Sequence, residues 1–225
     1  MEVTTGPGAA KDRALDYVKA KVLTGEFPGG ELISEGEVAT ALGMSRTPVR
    51  EAFLQLEAAG LLRLYPKRGA LVVPVSPDEV RAVLQARLVL EEFAVRAVIG
   101  RGPAACAAVY ERLSAQVQRQ REAAAGAELH EFLESDRAFH NATLEAAGNA
   151  ILAGFYSTLR DRQMRMIGES ARHPERLATI IDEHERIARA FRDGDGDGAR
   201  LAVRAHLSGT MRALGLAADL DGGEQ

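Results

Sequence analysis

Ser34 and Glu37 stand three residues apart at the head of SEGEVATALGMSRTPVREAFLQLEAAGLLRLYPKR, and that spacing is a capping box. It predicts a helix starting at Glu35. Gly43 closes that helix, because glycine accepts the left-handed backbone position at a helix end. A second helix opens almost at once. Pro48 falls in its first turn, where a missing N–H costs nothing, and either Ser45 or Thr47 can cap it. Val49, Ala52, Phe53 and Leu56 recur at helical spacing and form its buried stripe. Two helices, a tight glycine turn and polar residues at the start of the second helix describe a helix-turn-helix.

Arg46, Thr47 and Arg50 lie off the stripe at the N-terminal end of the second helix, and Arg46 and Arg50, four apart, share a face. Such a helix end can enter a major groove, where arginine bonds guanine O6 and N7 together. An ordinary helical hairpin with two solvated arginines has the same local pattern. The next residues separate the two readings. Gly60 ends the helix, residues 61–65 and 70–73 read as two short strands, and Pro66-Lys67-Arg68-Gly69 is the turn between them. A basic hairpin directly behind a recognition helix is a wing. Lys67 and Arg68 at its tip can reach phosphates or a minor groove.

SRTPVREAFLQLEAAGLL followed by KRGALVV resembles the winged helix of GntR-type bacterial transcription regulators, and the likeness extends back over TGEFPGGELISEGEVATALG. The resemblance implies operator contacts by Arg46, Thr47, Arg50 and the wing residues Lys67, Arg68 and Gly69. Gly36 is a departure from the pattern. Early in a helix it costs about 0.5–1 kcal/mol relative to alanine.

The net charge of −4 at first argues against a DNA binder, but the charge is unevenly spread. Residues 44–75 carry five basic side chains against two acidic ones, whereas residues 76–225 carry 19 basic and 23 acidic. DNA affinity then comes from a small patch, doubled in a dimer, and falls steeply with salt. Apolar residues make up 46% of the 225, enough for one large or two small cores. No apolar run is long enough to span a bilayer and no signal peptide is visible, so no membrane partner is expected. Cys106 is the single cysteine, which excludes an intrachain disulfide and fits a reducing cytoplasm.

Residues 1–10 lack periodicity and read as disordered. A helix over 12–23 turns Leu15, Val18 and Val22 inward, and Phe27-Pro28-Gly29-Gly30 makes the loop to the helix-turn-helix. The winged helix-turn-helix domain is expected over 11–75. Composition changes at Ser76-Pro77-Asp78-Glu79, a strong helix start. From there to Ala218 the pattern is helical throughout. It is broken by glycines at 100, 102, 126, 148, 168, 194 and 196 and by His173-Pro174. About six helices follow, near 77–99, 103–125, 128–147, 149–167, 174–193 and 197–216, giving an all-helical domain over 76–218 and a frayed tail over 219–225. The fold class is mainly α: a winged helix-turn-helix, then a bundle.

Three bundle helices put polar residues on apolar faces. One stripe runs Leu129, Phe132, Asp136, His140, Thr143. Another runs Ile180, His184, Ile187, Phe191, and a third Val203, His206, Thr210. A buried carboxylate needs compensation. One buried histidine is ordinarily a core residue bonded to a carbonyl; three with an aspartate point to a divalent metal, whose usual ligands are neutral imidazole and carboxylate. ESDRAFHNATLEAAGN, DEHERIARAFRDGD and ARLAVRAHL resemble the FCD effector domain of the FadR-like branch of the GntR family. That resemblance implies Asp136, His140, His184 and His206 as ligands of one transition metal per chain, zinc first, with nickel, manganese or iron as alternatives.

Arg87 lies mid-stripe among Val80, Val83, Leu84, Leu90 and Ala94. It can snorkel, pair with Glu91, or offer a fork to the carboxylate of a small organic acid that also reaches the metal. The family likewise places a ligand-binding arginine on this helix. Arg162 can also line the pocket, with ambiguous facing, and Asn149 reads as a helix cap. Asp193-Gly-Asp195-Gly-Asp197 mimics a calcium loop but lacks the glutamate at its twelfth position, where Arg204 stands, so it is a turn. Glu183 and Glu185 are expected to be solvated. The reading is therefore a cytoplasmic homodimeric regulator, a repressor, that binds a palindromic operator under control of a small carboxylate. A sensor of metal alone and a metal-dependent hydrolase are the alternatives.

Overall fold

A computed structural model describes residues 7–170, 174–218 and 220, and the chain divides into two compact units at Val75/Ser76. In the first unit α1 (Pro7–Leu23) is followed by β1 (Leu32–Ile33), α2 (Glu35–Leu42), α3 (Arg46–Ala58), β2 (Leu62–Tyr65) and β3 (Gly69–Val72). α1 starts earlier than the sequence predicts, so residues 7–10 are helical and not disordered. Pro7 occupies the first turn, where its fixed φ suits a helix, and Ala9 and Ala10 are strong helix formers. Residues 1–6 lie outside the described residues.

Ser34 accepts the Glu37 N–H at 3.0 Å and its own N–H donates to Glu37 at 3.1 Å, so the capping box forms. Gly43 closes α2 at φ 63°. Ser45 is the N-cap of α3 but its hydroxyl makes no capping bond. Val49, Ala52, Phe53 and Leu56 are buried as expected and pack with Ala14, Val18 and Val22 of α1. The wing strands pair antiparallel, Tyr65 opposite Gly69, and β3 also pairs with β1 in the order β1-β3-β2. The sequence reading has only loop where β1 forms, because two residues carry no periodicity to read. Gly69 (φ 100°) sits where a Cβ would lie 2.3 Å from the Ile33 carbonyl oxygen, so no other residue fits between β3 and β1.

The second unit is helical: α4 (Pro77–Ile99), α5 (Pro103–Ala125), α6 (Leu129–Ala146), α7 (Ala150–Ser170), α8 (Pro174–Arg192) and α9 (Gly196–Ala213). Ser76 caps α4 through the Glu79 N–H, Asn149 caps α7 and Asp195 caps α9. The aspartate-glycine run is thus the α8–α9 turn. α5 packs on α6 and α8, α8 on α9, and α4 on α6, α7 and α9. The expected break at His173 and the frayed tail over 219–225 fall outside the described residues, except for Leu220, which is buried.

Arg101 crosses from the α4–α5 turn to the C-terminal end of α6, donating to the Ala146 carbonyl at 2.7 Å and the Ala147 carbonyl at 3.0 Å. A cation there also meets the negative end of the helix dipole. Gly148 (φ 76°) leaves the space: a Cβ would stand 2.1 Å from Arg101 Nη2. Gly148→Ala combines left-handed strain with loss of this cap, so chemical denaturation of the variant should report a loss of about 2 kcal/mol.

Candidate nucleic-acid face and candidate metal centre

Arg46, Thr47 and Arg50 are exposed at the N-terminal end of α3. Arg46 and Arg50, together with Lys67 and Arg68, line an open groove of ≈ 680 Å³, to which Gly36 and Tyr65 also contribute. Arg50 Nε lies 4.0 Å from Glu35 in solvent, too loose and too wet to hold it there. The space Gly36 leaves has an occupant: a Cβ there would be 3.3 Å from Arg46 Nη2, so the guanidinium lies across the start of α2. The wing is tied to α3 by the Leu64 N–H, which donates to Glu57 Oε1 at 2.7 Å. At its tip the Arg68 N–H bonds the Tyr65 carbonyl with Pro66 and Lys67 between them. Lys67 holds φ 64°, a position that usually takes glycine or asparagine. Gly69 closes the turn opposite Tyr65, lies against β1 and also lines the groove.

In the second unit His140 from α6, His184 from α8 and His206 from α9 meet in the interior. Their exposures are 2%, 0% and 1%, and one ring nitrogen of each falls within 4.8 Å of the others. Ring centroids are 4.7 to 5.0 Å apart. Asp136, one turn before His140, is fully buried and places Oδ1 3.6 Å from His184 Nε2. It stands beside the trio without joining the tight nitrogen cluster. Phe139 stacks on His184 at 4.0 Å and fixes its plane.

Each imidazole is held from behind. His140 Nδ1 is 3.1 Å from Glu91 Oε2, His184 Nδ1 is 2.9 Å from Gln120 Oε1, and His206 Nδ1 is 2.9 Å from Glu183 Oε2. All three partners can accept in this geometry, so each ring turns its Nδ1 outward to an acceptor and its Nε2 inward. Burial alone would raise the Glu183 carboxyl, but the hydrogen bond and charge of His206, with Arg176 after them, hold it below the usual range, which keeps it an acceptor. His206 Nε2 is buried with no hydrogen-bond partner among the described residues. Three imidazole nitrogens gathered in a dry site beside a carboxylate suit a cation. Metal–nitrogen bonds of about 2.0–2.1 Å put neighbouring nitrogens roughly 3–3.5 Å apart, so the rings need to draw in by up to about 1.5 Å. The residues fit a divalent metal.

Sequence reasoning missed the three groups behind the rings. Glu183 is not solvated: it is 9% exposed and bonded to His206 and Arg176. Side by side with His184, it points to α9 because α8 is packed between α5 and α9. Glu185 is likewise engaged, with Arg121 and Arg189. Arg87 is fully buried, its Nε donating to Glu91 Oε1 at 2.8 Å and its Nη2 2.7 Å from the same oxygen. Burial works against its charge, but Glu91, Tyr156 and Asp136 together outweigh it and hold the guanidinium above its usual range. Nη1 is buried with no hydrogen-bond partner among the described residues. Arg162 is exposed and does not line this interior.

Comparison with known proteins agrees with both halves. Residues 10–72 match the model of the bacterial regulatory proteins of the gntR family, and residues 82–209 match the FCD domain. An HTH-type transcriptional regulator in an unstable DNA locus of Streptomyces ambofaciens is 30% identical over 197 residues, 85% of this chain and 80% of the relative. The HTH-type transcriptional repressor RspR of Escherichia coli is 31% identical over 179 residues, 79% of this chain and 77% of the relative. The crystal structure of a transcriptional regulator from Rhodococcus sp. RHA1 superposes with a TM-score of 0.75 at 19% identity, over 92% of this chain and 98% of that one, and so shares the fold. No described helix is long and apolar enough to cross a membrane. With a reading head, a buried histidine centre and relatives that are regulators and not enzymes, the chain belongs to the GntR family of transcription regulators, in the group that carries an FCD domain.

Proposed function

We propose that this chain is a cytoplasmic, homodimeric repressor that holds one divalent transition metal per chain and releases or grips its operator in response to a small carboxylate. Asp136, His140, His184 and His206 supply the ligands, zinc being first and nickel, manganese or iron the alternatives. The reading rests on one observation: three imidazoles are oriented by outside acceptors so that one nitrogen of each faces one buried centre. A bound metal supplies open coordination positions to an anion. Arg87, with Nη1 still to be satisfied, takes the other end of the acid.

Arg46, Thr47 and Arg50 read bases while Lys67 and Arg68 hold the backbone. Two such heads in a two-fold dimer read a short palindrome with half-sites about one helical turn apart. Large apolar side chains left exposed on two helices that pack together, Val89 of α4 and Ile151 and Phe155 of α7, give a second copy something to cover.

A sensor of metal alone has one observation in its favour: Glu91 already fills most of the Arg87 fork. Elemental analysis of the purified protein, followed by operator titrations with chelated and metal-loaded protein across a panel of small carboxylic acids, separates the readings. One metal per chain is expected, with an acid changing operator affinity only in the loaded form. A response to metal with no acid in the panel having any effect selects the metal sensor. Protein that takes up no metal overturns both.

A further inference from the structure

Glu91 has two oxygens and two separate duties. Oε1 accepts from Arg87 Nε at 2.8 Å and from the Tyr156 hydroxyl at 2.6 Å, with Arg87 Nη2 2.7 Å away. Oε2 faces His140 Nδ1 at 3.1 Å. The residue is 4% exposed, so no water dilutes either interaction. One buried carboxylate thus joins the guanidinium of α4 and the phenol of α7 to an imidazole of α6, and that imidazole turns its other nitrogen to the metal centre.

We propose that Glu91 is the positioning residue that links occupancy of the metal centre to anion binding at Arg87, so that each event strengthens the other. This rests on the metal-bound regulator proposed above. The physical step is a contest for one negative charge. A cation on His140 Nε2 draws electrons from the ring and strengthens the Nδ1–H bond to Oε2, which pulls the carboxylate away from Arg87. Arg87 is then less neutralised and receives an anion more readily. In the reverse direction, an anion that takes over the fork releases Glu91 from Arg87. Its full charge then falls on His140, making the imidazole a better ligand. Linkage of this kind is reciprocal by necessity. Gln120, behind His184, is neutral, and Glu183, behind His206, shares its charge with Arg176, which is remote from the Arg87 fork in the contacts it makes. Glu91 alone among the three acceptors touches both partners of the proposed reaction.

The test uses zinc as the only probe, with affinities taken by competition against a chelating dye on the full-length protein. Glu91→Gln keeps the shape and removes the charge, and it should weaken zinc binding by roughly 10- to 100-fold. The informative variants are those that leave the centre untouched. Arg87→Met and Tyr156→Phe each remove a competitor for Oε1, so each should tighten zinc binding several-fold. In the Glu91→Gln background Tyr156→Phe should have no effect, and Arg87→Met should keep only the smaller part that comes from its charge acting on Asp136. A purely structural role predicts weaker binding in every variant. A through-space effect of the Arg87 charge predicts the same tightening with or without Glu91. Either result overturns the proposal. Tyr156→Phe, the loss of one hydroxyl, keeps the test decisive where Arg87→Met does not fold. Wild-type protein that binds zinc with Glu91→Gln indistinguishable from it overturns the coupling and leaves the metal-bound regulator standing. Wild-type protein that binds no zinc overturns the two together.

Discussion

Arg50→Ala should abolish discrimination between operator and scrambled DNA while leaving the metal content of the protein unchanged. Arg50 stands exposed at the reading end of α3, and its 4.0 Å approach to Glu35 stabilises nothing measurable, so the substitution does not disturb the fold. A bidentate arginine–guanine pair contributes about 1–3 kcal/mol of discrimination, and a dimer loses two of them. The combined loss is roughly 2–6 kcal/mol, or about 30- to 10⁴-fold in operator affinity. Fluorescence anisotropy with labelled operator and scrambled duplex at fixed salt measures this directly. Residual binding that is equal on both duplexes and steeply salt-dependent is the expected remainder, since Lys67, Arg68 and Arg46 still meet phosphates. Operator retained at wild-type affinity would remove Arg50 from the reading surface.

Zinc should raise the melting temperature of the second unit by on the order of 10 °C, and His184→Ala should erase that increment. Free zinc at 1,000 times its Kd stabilises a protein that binds it only when folded by about 4 kcal/mol. In a domain of this size each kcal/mol moves the midpoint by roughly 2–4 °C. The unfolded chain offers no preformed centre, because the three histidines come from α6, α8 and α9. His184→Ala also empties a site stacked against Phe139 and lowers the baseline stability. The quantity to compare is therefore the difference between melting curves with zinc and with chelator, taken within each variant. A zinc increment that survives His184→Ala would place the metal elsewhere.

The parts of this protein visible in its sequence are those where a repeat carries the information. Asp136 and His140 are four apart on one helix, and His184 and His206 each interrupt an apolar stripe, so helical spacing alone turns all of them inward. The bundle helices are marked by glycines and caps, and the observed ends fall within a few residues of those marks. What the sequence hides is set by contacts between helices. Glu183 lies about 100° around α8 from His184, and only the position of α9 shows that this direction is also interior. Gln120 sits on α5 among ordinary polar residues, and nothing local distinguishes it from Gln118, whose side chain bonds Glu122 at the surface. Glu91 is readable as a partner for Arg87 four residues away. Its second oxygen is not, since the partner is 49 residues distant. Gly36 shows the opposite error: read along the chain it is only a helix cost, and in space it is the bed of the Arg46 guanidinium.

Gly69 carries a consequence for genetics. The Ile33 carbonyl occupies the place of any side chain there, so every replacement at this position forces the hairpin off the neighbouring edge. A screen for derepressed colonies would collect such mutants and rank them beside true contact mutants, although glycine offers the duplex nothing but backbone. Suppressors would distinguish the two kinds, because a shortened or shifted segment around Ile33 can restore a displaced hairpin but cannot replace a missing guanidinium.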